Sequence, residues 1–453
     1  MKSPICEFVK KYASGDSVRL HMPGHKGKSF LGCEKFDITE FEGADALYHA
    51  HGIINESEEN ATKLFGSAKT LYSTEGSSHV IRAMLYLAKS YKNEASGYVL
   101  ATKNAHQSFL SAAALLDFDI KWITPSQESY LSGKTSGEEI EKVLSRVDKM
   151  PFAVFITSPD YLGNVCDVKS IAKVCNKYGV MLIVDNAHGA YLKFLENSEH
   201  PIDLGATVCS DSAHKTLPVL TGGAYMHISK NAPDHFLENA KNALALFGSS
   251  SPSYLTLCSL DNANSYLSNE FRGELDTLIK RVDEVKEALT NSGYTLIGDE
   301  KIKITIDAKK YGYYGYEIYN ILYEKGIVCE FYDKDYVVMM VSPQNSEKDL
   351  DLLKSTLLSI PKKGAISDTP SRVLPCERKF SPHKIAFMQK EEIPVENALG
   401  RVCAELNVAC PPCVSVITCG EVYNESTIAL CKYYGIEKCV VVKEENPKPQ
   451  NLA

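Results

Sequence analysis

This 453-residue sequence predicts an α/β fold built on a mostly parallel sheet, followed by a smaller α+β unit and a small C-terminal unit. Three observations carry that expectation. Between residues 76 and 230 short apolar runs alternate with amphipathic stretches, the pattern of parallel strands joined by crossover helices. Past a long helical stretch over 253–289, a second group of strands brackets a single helix. The chain is also too long for one simple core, so a large domain with smaller companions is expected.

The strands of the large unit fall at 98–101, 120–123, 153–157, 181–185, 207–211 and 224–228, each a short apolar run. The first helix spans 78–91, with Val80, Ile81, Met84, Leu85 and Tyr91 along one face. In the smaller unit, strands at 303–307 and 336–341 flank a helix at 316–325. Residues 361–371 are rich in Lys, Gly, Ser and Pro without apolar periodicity, which marks a linker. The C-terminal unit places strands at 414–418 and 439–443 around a helix. The resulting division is an N-terminal segment at 1–70 lining the site, a large domain at 71–270, an α+β domain at 271–360, a linker at 361–375 and a C-terminal domain at 376–453. There is no internal repeat or low-complexity tract.

A net charge of −8 argues against a general nucleic-acid binder, because neutralising phosphates needs clustered Lys and Arg. Lys362-Lys363 reads as solvated surface. The N-terminal Met1-Lys2-Ser3-Pro4-Ile5-Cys6 soon becomes charged, and no apolar run reaches membrane-spanning length, so a cytoplasmic protein is expected. The fourteen cysteines lie scattered in apolar segments and read as reduced, packed thiols.

Chemistry concentrates at strand ends. The strongest local signal is Ser210-Asp211-Ser212-Ala213-His214-Lys215-Thr216, ahead of Leu217-Pro218 and Gly222-Gly223. A lysine in such a loop, among small hydroxyl residues, suits an amine desolvated enough to be nucleophilic beside donors for a phosphate. Taken alone, this short pattern more often describes a surface lysine. Upstream, the run 181–184 ends in Asp185-Asn186-Ala187-His188-Gly189-Ala190. An aspartate there sits where open α/β sheets bind ligands and can pair with a protonated pyridine nitrogen; a helix N-cap is the alternative. Ser73-Thr74-Glu75-Gly76-Ser77-Ser78 runs into a helix beginning near His79, the pattern of an anion site or of an ordinary serine cap. In Thr102-Lys103-Asn104-Ala105-His106-Gln107-Ser108, His106 offers a ring to stack on a pyridine face, or simply enters the next helix. A phosphate cup, a stacking ring, an acid and a lysine thus occur in chain order, and independent coincidence explains them poorly.

With these residues in place, the sequence resembles the ornithine/lysine/arginine decarboxylase family of fold-type-I pyridoxal phosphate enzymes, in the short form without an N-terminal wing domain. The resemblance covers nearly the whole chain. Its marks are His21-Met22-Pro23-Gly24-His25-Lys26-Gly27, Asp37-Ile38-Thr39-Glu40, Leu64-Phe65-Gly66, the Asp-x-Ala-His-Gly run at Asp185, the Ser-x-His-Lys-Thr-Leu-Pro run at Ser212, and Ser251-Pro252-Ser253-Tyr254. Gly400-Arg401 and Pro411-Pro412 extend it more faintly. The family implies an aspartate-aminotransferase-like large domain with a mostly parallel seven-stranded sheet, and pyridoxal 5'-phosphate as cofactor. It also implies decarboxylation of lysine, arginine or ornithine to the amine and carbon dioxide, a place in polyamine biosynthesis, and a homodimer or higher homo-oligomer with active sites at the interface.

Position by position, the resemblance implies that Lys215 is the Schiff-base lysine, while Ser77, Ser78, Ser212 and His214 hold the phosphate. Asp185 would bind the ring nitrogen, His106 would stack above the ring and Ala187 would pack beneath it. His188 would lie beside the cofactor near the substrate, and Glu330 would face the substrate's basic end; a solvated loop carboxylate is the alternative for Glu330. Protonation at the substrate's α-carbon falls to Lys215 or His214. The Pro-Gly-His-Lys segment would line the entrance, with His25 near the substrate, or would be a structural turn.

Two departures stand out. Where the family usually carries Tyr-Pro-Pro-Gly-Ile-Pro, this chain has Cys410-Pro411-Pro412-Cys413-Val414-Ser415, which puts the substrate assignment in doubt. The Cys-x-x-Cys also admits a redox pair or half a zinc site with Cys403, Cys419, Cys431 or Cys439, but the spacing does not repeat and no His supports it, so no metal is expected. Glu75 and His79 stand where the phosphate loop tends to have Asn and smaller residues. Two other functions compete with decarboxylation. One is another reaction on the same cofactor, such as aminotransfer, for which the motifs place no arginine clamp, or a lyase step; the other is a non-catalytic regulatory homologue, against which Lys215 and Asp185 argue.

Overall fold

The six apolar runs of the large unit all become strands of one sheet, joined by a seventh. The computed structural model describes residues 1–93, 97–123, 129–372, 374–408 and 412–444. The strands are β1 (Lys69–Ser73), β2 (Tyr98–Thr102), β3 (Asp119–Ile123), β4 (Ala153–Thr157), β5 (Met181–Asp185), β6 (Val208–Asp211) and β7 (Ala224–Ile228). They lie in the order β1-β7-β6-β5-β4-β2-β3. Pairing is parallel from β3 to β6, and β7 runs antiparallel to both its neighbours. The sheet is therefore the mostly parallel, seven-stranded one expected. Strand β1 was not anticipated, because its Lys-Thr-Leu-Tyr-Ser run is polar. Its buried hydroxyls find distant partners: Thr70 Oγ1 lies 2.9 Å from His227 Nδ1, and Tyr72 Oη accepts a 2.7 Å bond from Asn264 Nδ2.

Alternate residues of the strands enter opposite cores, as the pleat requires. Val99, Phe155 and Ile183 pack on one face beneath the helices Gly76–Lys92, Gln107–Leu116 and Asp234–Phe247. Leu100, Val154, Leu182 and Val184 pack on the other, against Gly137–Leu144 and Val168–Lys177. The helix expected at 78–91 extends over Gly76–Lys92 and buries Val80, Ile81, Met84 and Leu85; Tyr91, placed on that face from sequence, is 44% exposed because it sits at the solvent end of the last turn.

The long helical stretch divides at Glu270 into Tyr254–Asn269 and Phe271–Asn291. The smaller sheet holds β8 (Thr295–Ile297), β9 (Lys303–Asp307), β10 (Phe331–Tyr332) and β11 (Tyr336–Met340), in the order β10-β11-β9-β8 and antiparallel throughout. In the C-terminal part, β12 (Lys390–Pro394) pairs with β13 (Lys438–Val442) beside the helix Glu425–Tyr433. The strand expected at 414–418 is absent. That run is apolar because Val416 and Ile417 fill the core there, and burial alone does not supply a ladder partner. Residues 361–372 contain neither helix nor strand, and the described cysteines other than Cys413 are free thiols. Cys410 and Pro411 lie outside the described residues. Among those residues no helix is long and apolar enough to cross a membrane.

Candidate active site

Strand register sets Thr157, Asp185 and Ser210 side by side at the C-terminal ends of β4, β5 and β6. In parallel sheets this edge is where ligands bind. Lys215 follows β6 in the short helix Ala213–Thr216, and His106 follows β2 as N-cap of the helix Gln107–Leu116. A cavity of about 260 Å³ opens between Asp185, Lys215, His106, His188, Tyr161 and Glu330. His106, Asp185 with His188, and Lys215 thus meet from three separate chain segments, and the smaller sheet adds Glu330, just ahead of β10; Ser77, Ser78, Ser212 and His214 are not among the lining residues.

Asp185 is buried, and its Oδ1 accepts bonds from the Ala187 N–H at 3.2 Å and the Ser210 hydroxyl at 3.5 Å. Burial pushes its carboxyl up to about 6, against the opposing pull of Lys215. His106 Nδ1 accepts from the Ser108 N–H at 3.1 Å, and burial pushes this ring down to about 4. It is both the helix-entry residue and a wall of the cavity. His214 Nδ1 donates to the Gly223 carbonyl at 3.1 Å, and its pKa is lowered by burial. His188 is pushed well down, by burial first and then by Lys215 and Lys303; it lies 2.9 Å from Lys215 Nζ and 2.7 Å from Lys303 Nζ.

Behind Asp185, Asn186 Nδ2 donates to Asp211 Oδ1 at 2.7 Å, while His200 and His227 approach Asp211 Oδ2 at 3.0 and 3.1 Å. Burial raises the Asp211 carboxyl, but the two histidines outweigh it and hold it well below the usual range. His200, Cys209 and Asp211 come within metal-ligating distance of one another. The histidine Nε2 is already engaged by the carboxylate, so a salt-linked support for the strand ends accounts for the group.

At the anion cup, the Ser212 hydroxyl donates to Ser77 Oγ at 2.7 Å. Ser77 and Ser78 stand in the first turn of the helix Gly76–Lys92, where N–H groups have no helical acceptor. The Gly76 N–H donates to the Gly222 carbonyl at 2.7 Å, which ties the two loops together. Gly222 has φ +95°, and a Cβ there would stand 2.6 Å from the Thr74 carbonyl oxygen, so this approach requires glycine. Of the residues that departed from the family pattern, Glu75 turns outward to accept the Ser249 N–H at 2.6 Å. His79 is a packed histidine between Ser73 Oγ and the Leu244 carbonyl.

His25 is not among the residues lining this cavity. Its Nε2 lies 3.2 Å from Asp37 Oδ2, and Thr39 Oγ1 donates to the Met22 carbonyl, so the two N-terminal motifs are joined to each other. Cys413 takes φ +58° at the position where the family motif carries Gly, and its carbonyl accepts the Gln107 N–H at 3.0 Å. Pro412 and Val414 consequently reach the cavity wall beside His106. Sequence reasoning missed Asn104, Thr157, Tyr161 and Lys303; for the first three, position at or just after a strand end was the available signal.

The Orn/Lys/Arg decarboxylase major domain matches residues 3–310 of this chain. The chain belongs to this family. It is 28% identical to the uncharacterized protein YaaO of Bacillus subtilis, over 94% of this chain and 93% of that one. It is 27% identical to an arginine decarboxylase of Halalkalibacterium halodurans, over 94% and 92%. Among solved structures, the Francisella novicida lysine decarboxylase LdcF superposes with a TM-score of 0.79 at 16% identity, covering 97% of this chain and 81% of that one. The decarboxylase thus has the aspartate-aminotransferase-like fold, and it acts on an amino acid.

Family membership implies pyridoxal phosphate, and the residues present in this decarboxylase fit it. A serine pair at a helix N-terminus suits a phosphate, and a buried carboxylate at a strand end suits a cationic ring nitrogen. Thr157 Oγ1 and both amide atoms of Asn104 are buried at the cavity without a hydrogen-bond partner among the described residues, as polar groups that receive a ligand are. A pH-dependent thermal shift tests the Asp185 pairing. A carboxyl raised from 3.8 to about 6 on folding stabilises the cofactor-free fold fully below its unfolded value, and that contribution is lost as pH rises through about 6. A cation beside Asp185 offsets the loss, so pyridoxal phosphate is expected to raise Tm more near pH 7.5 than near pH 5. The difference should vanish in Asp185→Asn; a difference that survives in that variant separates Asp185 from the ring.

Proposed function

We propose that this decarboxylase converts a basic L-amino acid, lysine, arginine or ornithine, to the corresponding amine and carbon dioxide, working as at least a dimer. The observation that carries the reading is that the cavity lined by Lys215 and Asp185 also exposes the carboxylate of Glu330, whose Oε1 accepts the Tyr161 hydroxyl at 2.9 Å. A fixed carboxylate in the cavity suits a substrate with a second, distal cation. The arginine decarboxylase name of the Halalkalibacterium relative is in keeping with it.

When bound, pyridoxal phosphate supplies an electron-accepting ring that makes loss of carbon dioxide from an α-carbon accessible. Ser77, Ser78, Ser212 and His214 would hold its phosphate, with His106 along one ring face and Ala187 along the other. Asp185 would keep the ring nitrogen protonated. Lys215 would hold the cofactor covalently through its Nζ and, once the substrate is bound, would carry a proton at the substrate's α-carbon with His214 close by. His188 would sit beside the reacting atoms, while Tyr161, Pro412 and Val414 would keep water from them. The N-terminal segment exposes Val18, Leu20, Phe30 and Leu31, each by more than three quarters. Such a patch supports a partner subunit against this segment, and His25 would reach substrate in the partner's site.

The test is to incubate protein and pyridoxal phosphate separately with lysine, arginine, ornithine and neutral amino acids, and to identify products by mass spectrometry. An amine from one basic substrate is expected. A keto acid would point to aminotransfer, and no product, with no visible cofactor band, to a non-catalytic homologue. Glu330→Gln is expected to raise KM for the basic substrate roughly tenfold while kcat changes less. An unaltered KM would release Glu330 from recognition.

A further inference from the structure

Lys303 opens β9, and nothing in the mechanism above uses it. Its side chain and that of Glu300 are each 1% exposed, with Nζ 2.8 Å from Glu300 Oε2. The same Nζ lies 3.3 Å from the Asp160 carbonyl oxygen and 2.7 Å from His188 Nδ1. Across the imidazole, His188 Nε2 stands 2.9 Å from Lys215 Nζ. Glu300, Lys303, His188 and Lys215 therefore form one continuous line from the smaller sheet to the nucleophile.

Counting protons along that line gives each group a state. An ammonium in contact with a buried carboxylate has three hydrogens and no lone pair, so it donates to whatever else it touches. The Asp160 carbonyl can only accept, and His188 Nδ1 must accept as well. A neutral imidazole that accepts at Nδ1 carries its hydrogen on Nε2. That hydrogen is directed at Lys215 Nζ, and an amine can receive it only when it has a lone pair. A second proton on His188 is opposed by burial and by the Lys303 ammonium at its Nδ1, while the Asp185 carboxylate favours the charged form of Lys215 that the Nε2–H of His188 opposes. Around Glu300, burial raises the carboxyl; Lys303 is the largest opposing influence, Asp160 adds to the rise and Lys286 opposes it.

We propose that Glu300 and Lys303 are a positioning pair that fixes His188 as the Nε2–H tautomer and thereby holds Lys215 as the neutral amine. That form is the one able to bond a carbonyl carbon. The inference rests on Lys215 being the reactive lysine of the reading above, but it concerns a protonation state rather than turnover.

The full-length chain, freed of carbonyl cofactor, is labelled with a trace of trinitrobenzenesulfonate across a pH series, and the Lys215 peptide is quantified by mass spectrometry. Wild-type Lys215 is expected to reach half-labelling about two pH units below the exposed lysines of the same digest. The double variant Glu300→Gln/Lys303→Met removes both charges together, which leaves no lone buried ion to unfold the chain. In it the Lys215 midpoint should rise by about one pH unit, leaving roughly tenfold less neutral amine at a given pH. In spectra of ¹⁵N-histidine protein, the His188 hydrogen should sit on Nε2 in wild type and lose that preference in the variant. An ordinary midpoint for wild-type Lys215, a His188 hydrogen on Nδ1, or an unmoved midpoint in a folded double variant overturns the proposal. Should the double variant not fold, the two wild-type measurements decide alone. A chain that makes no amine yet labels early at Lys215 would keep this inference and lose the functional reading; the reverse pattern would do the opposite.

Discussion

Lys215→Ala should lose amine formation on the order of ten-thousandfold or more, equivalent to about 5 kcal/mol of barrier. The size follows from what one side chain does in the proposed cycle. In that proposal its Nζ would hold the cofactor and would also carry the proton at the α-carbon, so its removal takes out more than one contact. The fold is not expected to suffer, because Lys215 is only half-buried. The measurement is product formation from lysine, arginine and ornithine with saturating cofactor, alongside circular dichroism and the visible spectrum. Full activity in a folded variant would remove Lys215 from the mechanism.

Asp185→Ala comes next, with kcat expected to fall roughly a hundredfold or more even at saturating cofactor, about 3 kcal/mol. With Asp185 in its proposed place at the ring nitrogen, its loss would leave a ring that holds a proton less well and would accept charge poorly. This variant also leaves the Ala187 N–H and Ser210 hydroxyl without their buried acceptor, a stability cost of about 1–3 kcal/mol that lowers Tm. Asp185→Asn keeps an acceptor while removing the charge, so it should retain more stability than the alanine variant yet lose comparable kcat. An unchanged kcat in either would count against the ring-nitrogen assignment.

Much of this site was legible in the residues because parallel sheets place ligand-binding groups at strand ends, and strand ends are marked in sequence by apolar runs that stop at a polar residue. Asp185, His106 and Lys215 were found in that way, and the structure brings all three to one cavity. Glu330 came from family resemblance alone; its local run of Val328-Cys329-Glu330 contains nothing that marks it. The strand expected at 414–418 failed for a related reason. Apolar composition records that Val416 and Ile417 are buried, whereas a ladder depends on which other segment lies alongside. Strand β1 failed in the opposite sense, since a polar run became a buried edge strand through hydroxyl partners far along the chain.

By itself, then, the sequence determined the fold class, the family and the residue types at the strand ends, because hydrophobic period and short motifs are local properties of the chain. Only the tertiary structure decided that Lys303 and Glu300 of the smaller sheet reach His188 and, through it, Lys215. It alone decided, too, that His25 pairs with Asp37 instead of lining this chain's own cavity. Those facts depend on the distance between segments far apart in sequence, and they follow from how the two sheets and the N-terminal segment pack together.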